Sequence, residues 1–147
     1  MRKTLIAALV VAPVLAHAGP AEDTVAARQG FYKLLGANMG ILAAMAKGER
    51  DYEGAAAETA ANNIVLLTTY NLGHLYMPGT SSAEIKGSRA KPAIWNEFTE
   101  AQKKADALFE AANKLTEVAG FDKADMVDAL EAVGGACKSC HDNYRED

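Results

Sequence analysis

Four stretches of this chain repeat apolar residues at three- and four-residue spacing, with only short breaks between them. That period fits an amphipathic helix and no other regular element. The first stretch runs from about Glu22 to Lys47 and aligns Val25, Arg28, Tyr32, Leu35, Met39 and Leu42 on one face. Gly48 stops it, and Asp51 offers an N-cap for a second, from about Tyr52 to Tyr76, whose inward face reads Ala56, Ala60, Asn63, Leu67, Tyr70 and His74. Pro92 opens a third that continues to about Val118, with Trp95, Phe98, Gln102, Leu108, Phe109, Ala112 and Leu115 along it. After Gly120, Asp122 caps a fourth, striped by Met126, Leu130, Val133, Cys137, His141 and Tyr144. Ile64, Val65, Thr68 and Thr69 locally favour strand, but length and periodicity outweigh them. The expected fold is all-α: an antiparallel four-helix bundle about 30 Å long or more. Gly30, Gly36 and Gly40 weaken the first helix, which points to close approach of another surface there.

Composition limits what such a bundle can be. With 147 residues the chain holds one domain, and 50% apolar content against 7% aromatic calls for a core of Ala, Leu, Val and Met. Fifteen Lys and Arg face nineteen Asp and Glu, and no basic tract occurs, which speaks against nucleic acid and against an anionic membrane surface. Residues 1–18 read as a signal peptide. Arg2 and Lys3 precede an apolar run from Leu5 to Leu15, and Ala16-His17-Ala18 supplies the small residues of a cleavage site. The run is shorter than a bilayer requires, so a mature domain of residues 19–147, not inserted in the membrane, is expected in an oxidising compartment.

Chemistry concentrates in Cys137-Lys138-Ser139-Cys140-His141. This is the spacing of covalent c-type haem attachment. Two thiols three apart face one side of a helical turn and can each take a vinyl group of the porphyrin, and the following imidazole reaches the iron. His141 is therefore the expected metal ligand, with one haem c bound through Cys137 and Cys140. A thioredoxin-like pair would want a preceding strand, and a zinc site would want a fourth ligand; a plain disulfide leaves His141 without a role. For a sixth iron ligand the chain offers Met39, Met45, Met77 and His74, each of which has an ordinary packing or surface reading.

With these residues in place the chain resembles the cytochrome c prime family, periplasmic four-helix bundles with haem near the C-terminus. Beyond the haem motif the resemblance rests on Arg28-Gln29-Gly30-Phe31-Tyr32-Lys33, on Pro78-Gly79-Thr80-Ser81, on Ala93-Ile94-Trp95 and on the closing Cys-His-Asp-Asn-Tyr-Arg. It implies that Arg28 and Gln29 contact the haem propionates and edge, and that Ser88 and Arg89 touch the haem before the third helix. Arg89 departs from relatives, where that position is often acidic. Tyr32 falls on the distal position above the iron, which argues against an iron–methionine bond from there. Lys138 and Arg145 fall where relatives place basic groups near the histidine.

The resemblance implies a periplasmic monohaem cytochrome with five-coordinate, high-spin iron that transfers electrons, binds diatomic gases such as nitric oxide and carbon monoxide, or does both. A six-coordinate low-spin electron carrier of the same fold is the alternative. No enzymatic activity is expected: peroxide cleavage wants a distal histidine with a charged partner, and the sequence shows none. The expected partners are the gases, an unidentified periplasmic redox protein, itself basic given this acidic chain, and a second copy. A homodimer would use the first two helices, where Gly40, Ala43, Ala44 and Ala46 permit close approach.

Overall fold

The computed structural model describes residues 19–147; the expected signal peptide lies outside them. Helix α1 spans Pro20–Lys47, α2 Gly54–Thr68, a single 3-10 turn Gly73–Leu75, α3 Ala93–Asn96, α4 Phe98–Val118 and α5 Lys123–Tyr144. Helix α1 packs on α2 and α5, and α4 packs on α2 and α5, so the four long helices close a ring around one core. Short connections at 48–53 and 119–122 force antiparallel neighbours. The core is small and aliphatic as the composition demands: Leu42, Met45, Ala57, Ile64, Leu115, Met126 and Val133 are fully buried. No helix among the described residues is long and apolar enough to cross a membrane.

Two helix ends behave as expected. Gly48 closes α1 in the left-handed region at φ 74°. Asp122 caps α5, its Oδ1 accepting from the amides of Ala124 at 2.7 Å and Asp125 at 3.1 Å. Two expectations are corrected, and a third is narrowed to surfaces outside this chain. Asp51 does not cap α2: the N-cap is Glu53, without a side-chain bond, and Tyr52 fixes the entry by donating to Ala119 O at 2.9 Å. The inward face of α2 is Ala57, Ala60, Ala61 and Ile64, whereas Asn63 stays exposed and donates to Asn38 Oδ1 at 3.0 Å. Gly30, Gly36 and Gly40 are not approached within the described chain, since a methyl built on any of them meets nothing within 4 Å.

The largest departure is that α2 stops at Thr68, well short of Tyr76. The hydroxyls of Thr68 and Thr69 turn back onto the carbonyls of Val65 and Leu66, both at 2.8 Å, and compete with the helical ladder. Asn71 Oδ1 then accepts from the Gly73 amide at 2.9 Å and starts the 3-10 turn. The expected third helix is likewise two pieces, broken at Glu97 (φ −122°, ψ 35°), whose carboxylate accepts from Tyr144 at 2.9 Å.

Candidate haem site

Ending α2 early opens the bundle. A cleft of about 500 Å³ lies between α1, the end of α2 with the 70–76 segment, and α4, lined among others by Tyr32, Leu35, Leu67, Tyr76, Phe98 and Leu108. Its volume is in the range of small-molecule and cofactor sites, and its walls are chiefly apolar and aromatic. This explains why Phe98 is 47% exposed and Gln102 is exposed although both sit on the inward face read from the sequence: they border the cleft and not the core.

The Cys-Cys-His motif occupies the last turns of α5. Cys137 and Cys140 are both free thiols and half-buried. Burial pushes both thiols up, and neighbouring Cys140 adds to the rise at Cys137, so both are protonated at neutral pH. From α4, Lys104 donates to Ser139 Oγ at 2.8 Å and ties the motif to that helix. A largely apolar slot in the bundle, together with two unpaired thiols one helical turn apart on α5, suits a flat macrocycle held by two thioethers.

His141 is half-buried, and Arg145 Nη1 donates to its Nε2 at 3.3 Å. A guanidinium can only donate, so the ring proton sits on Nδ1. Burial, then Arg145 and Arg89, hold the imidazole below its ordinary pKa, which keeps it in the neutral form that binds a metal. Of the two basic residues flagged beside it, only Arg145 touches it: Lys138 pairs with Asp142 at 2.6 Å on the surface.

Arg28 is 4% exposed and reaches no carboxylate. It donates from Nη1 to Leu75 O at 3.0 Å and Thr80 Oγ1 at 3.3 Å, and from Nη2 to Thr80 O at 2.9 Å and Ser88 Oγ at 3.0 Å. Its guanidinium also lies over the rings of Tyr76, at 4.8 Å, and Trp95, at 5.9 Å. Desolvation lowers its pKa, but an arginine stays charged, so a buried cation stands here without an anionic partner. Gln29 Nε2 donates to Gly87 O at 2.7 Å. Arg89 is exposed and forks onto Glu146 O from Nε at 3.1 Å and Nη2 at 2.8 Å. It clasps the tail after α5, where Ala90 and Arg145 also form a β-bridge.

The structure brings Arg28 and Ser88, two of the residues singled out from the sequence, into contact, and Tyr32 lines the cleft. The sequence reading missed Tyr76. Read as the end of a helix, that residue instead stands on the cleft wall, its hydroxyl 2.9 Å from that of Tyr32. The signal available was its place against Met77-Pro78-Gly79, where a helix cannot continue. None of the four alternative iron ligands lines the cleft, and neither do Cys137, Cys140 and His141 on α5; the four alternatives are engaged elsewhere. Met45 is fully buried and Met39 packs against the core, Met77 Sδ accepts from Thr24 at 3.3 Å, and His74 is engaged by Asn71 O at 3.0 Å and Tyr70 at 3.3 Å.

Comparison with known proteins agrees with this geometry. The cytochrome c' family profile matches residues 23–145. Cytochrome c' of Cereibacter sphaeroides is 46% identical, the match covering 99% of this chain and 98% of that protein. The solved cytochrome c' from Rhodobacter Spheriodes superposes with a TM-score of 0.84 at 46% identity, covering 86% of this chain and 98% of that one. A nitric oxide complex of a single-residue variant of cytochrome c prime from Alcaligenes xylosoxidans superposes with a TM-score of 0.74 at 28% identity, covering 86% and 97%. Cys137 and Cys140 are accordingly the thiols that carry haem c, and the chain belongs to the cytochrome c' family.

Proposed function

We propose that this chain is exported through cleavage after residue 18 and works in the periplasm as a monohaem cytochrome whose iron has His141 as its only protein ligand. When bound, the haem supplies one-electron chemistry and an iron site open to diatomic gases. The observation that carries the five-coordinate reading is that each alternative ligand is engaged elsewhere: Met45 is fully buried, Met39 packs against the core, Met77 Sδ accepts from Thr24, and His74 is held by Asn71 O and Tyr70. Tyr32 covers the open side instead, small gases pass it, and bulky or charged molecules do not. The physiological roles are electron transfer to a redox partner, binding of nitric oxide or a similar gas, or both, without turnover of an organic substrate.

The chain's own groups hold this arrangement. His141 offers a neutral imidazole. The charge of Arg28, met here only by neutral acceptors, is free to be balanced by carboxylates, and the haem propionates are carboxylates. Gln29, Ser88 and Arg89 border the same edge, with Ser88 fixing the guanidinium and Arg89 holding the tail behind His141.

A second copy docks on the outer face of α1 and α2. Asn38 and Asn63 bond across that seam, and Leu34 and Leu66, one turn away on either helix, are 59% and 68% exposed. Gly36 and Gly40 leave the backbone of α1 open on its exposed side.

The visible absorption spectrum of the purified protein, oxidised, reduced, and reduced under carbon monoxide, tests the proposal. A broad reduced Soret band with merged α and β features that shifts on adding the gas is the expected result. Sharp, separate α and β bands unmoved by carbon monoxide would put a second protein ligand on the iron and replace the gas-binding reading with a low-spin electron carrier.

A further inference from the structure

Two phenols face each other across the cleft wall. Tyr32 on α1 and Tyr76 after the 3-10 turn are 44 residues apart, and their hydroxyl oxygens are 2.9 Å apart. Both line the cleft. Burial raises both phenols above their ordinary range, so each keeps its proton at neutral pH. Two neutral hydroxyls at this separation share one proton in the bond between them. The second proton is left to whichever oxygen accepts, and the described residues give neither hydroxyl another partner.

Which oxygen accepts follows from the surroundings. Tyr76 is held on three sides: its carbonyl accepts from Trp95 Nε1 at 2.9 Å, its ring meets the Trp95 ring edge-on at 6.0 Å, and the Arg28 guanidinium lies 4.8 Å above it. A cation over the ring withdraws density and makes that O–H the more acidic of the two, hence the better donor. Tyr32 has only an edge contact with Phe31, at 5.2 Å, and one with Tyr76 through the hydroxyl. Being 41% exposed, it turns free surface to the cleft that it lines.

We propose that Tyr76 is a positioning residue: it donates to Tyr32, fixes that ring over the cleft, and leaves the Tyr32 proton to meet a diatomic ligand. The chain Arg28–Tyr76–Tyr32 is then polarised in one direction, and each bond strengthens the next. Its effect is selectivity. A gas whose outer atom gains negative charge on binding is held more tightly than one that stays neutral. The inference rests on the open distal face proposed above.

The C–O stretching frequency of the carbon monoxide adduct of the whole haem protein reads the donor directly, because a proton aimed at the outer oxygen weakens the C–O bond. In Tyr32→Phe the stretch should rise. In Tyr76→Phe it should rise in the same direction, and the double variant should go no further than Tyr32→Phe alone. Haem content and the thermal midpoint of each variant show that the fold survives the loss of one hydroxyl. A stretch unchanged in Tyr76→Phe, or lowered because Tyr32 had been the donor and is now released, would overturn the assignment. If the unaltered protein takes up no carbon monoxide, the open-face reading falls and this inference with it; if it does and only Tyr76 proves indifferent, the inference alone falls.

Discussion

Arg28 Nη2 donates to Ser88 Oγ at 3.0 Å across 60 residues of sequence, and Ser88 Oγ in turn donates to Thr80 O at 2.8 Å. One guanidinium thereby pins the long 69–91 connection to α1 at Leu75, Thr80 and Ser88, and with it the side of the cleft that carries Tyr76.

Arg28→Lys should therefore cost about 2 kcal/mol, because a single compact ammonium cannot reach all the buried acceptors that the planar fork satisfied. Denaturant unfolding of the haem protein measures the loss. The haem spectrum should shift as well, since the 75–80 wall loses its anchor.

Gly54 and Gly120 meet backbone to backbone where α2 begins beside the α4–α5 turn, and a methyl on Gly54 would overlap the Gly120 carbonyl oxygen. Gly54→Ala should destabilise by about 1–3 kcal/mol through overpacking against a backbone atom that cannot give. Gly36→Ala, with nothing within 4 Å of the new methyl, should gain about 0.5–1 kcal/mol from helix propensity. Thermal midpoints of the two variants should move in opposite directions.

Removing the Asp122 carboxylate exposes two amide donors at the start of α5. Asp122→Ala should cost about 1 kcal/mol. Circular dichroism on urea titration gives the value.

Covalent attachment has its own signature. Cys137→Ala or Cys140→Ala alone should leave one thioether, and the denatured chain should still carry the mass of haem. The double variant should release it entirely on acidic organic extraction. Retention of haem by the denatured double variant would require a third attachment point that the described residues do not offer.

On the outer seam, Leu34→Glu with Leu66→Glu should turn a dimer into monomers in sedimentation velocity while leaving monomer stability within about 0.5 kcal/mol, as expected for exposed positions. A monomeric unaltered protein would remove the docking surface from the proposal.

Legibility from sequence followed the range of the interaction. Helix caps and stops such as Gly48 and Asp122 were readable because they depend on a few consecutive residues. The haem motif was readable for the same reason: three functional groups within five residues share one turn of one helix. The inward face of α2 was misread by one position in its first half, since Ala-rich helices carry little contrast between faces, and the packing of Ala57, Ala61 and Ile64 decided it. Its length was misread because periodicity continues through Tyr70 and His74, while Thr68 and Thr69 end the helix by hydrogen bonds that periodicity does not register.

The sequence by itself determined that the chain makes four amphipathic helices, that they must bury an aliphatic core against one another, and that two thiols and an imidazole lie together near the C-terminus. These are consequences of local spacing and of short connections. Tertiary structure alone decided what faces the thiols. It set Tyr76 against Tyr32, put Arg28 between Leu75, Thr80 and Ser88, paired Lys138 with Asp142 and Arg145 with His141, and engaged Met39, Met45, Met77 and His74 away from the cleft. Each of those relations joins side chains whose meeting depends on where a helix ends and how a connection folds back, and a buried donor or cation takes whichever acceptor the packed chain brings within reach.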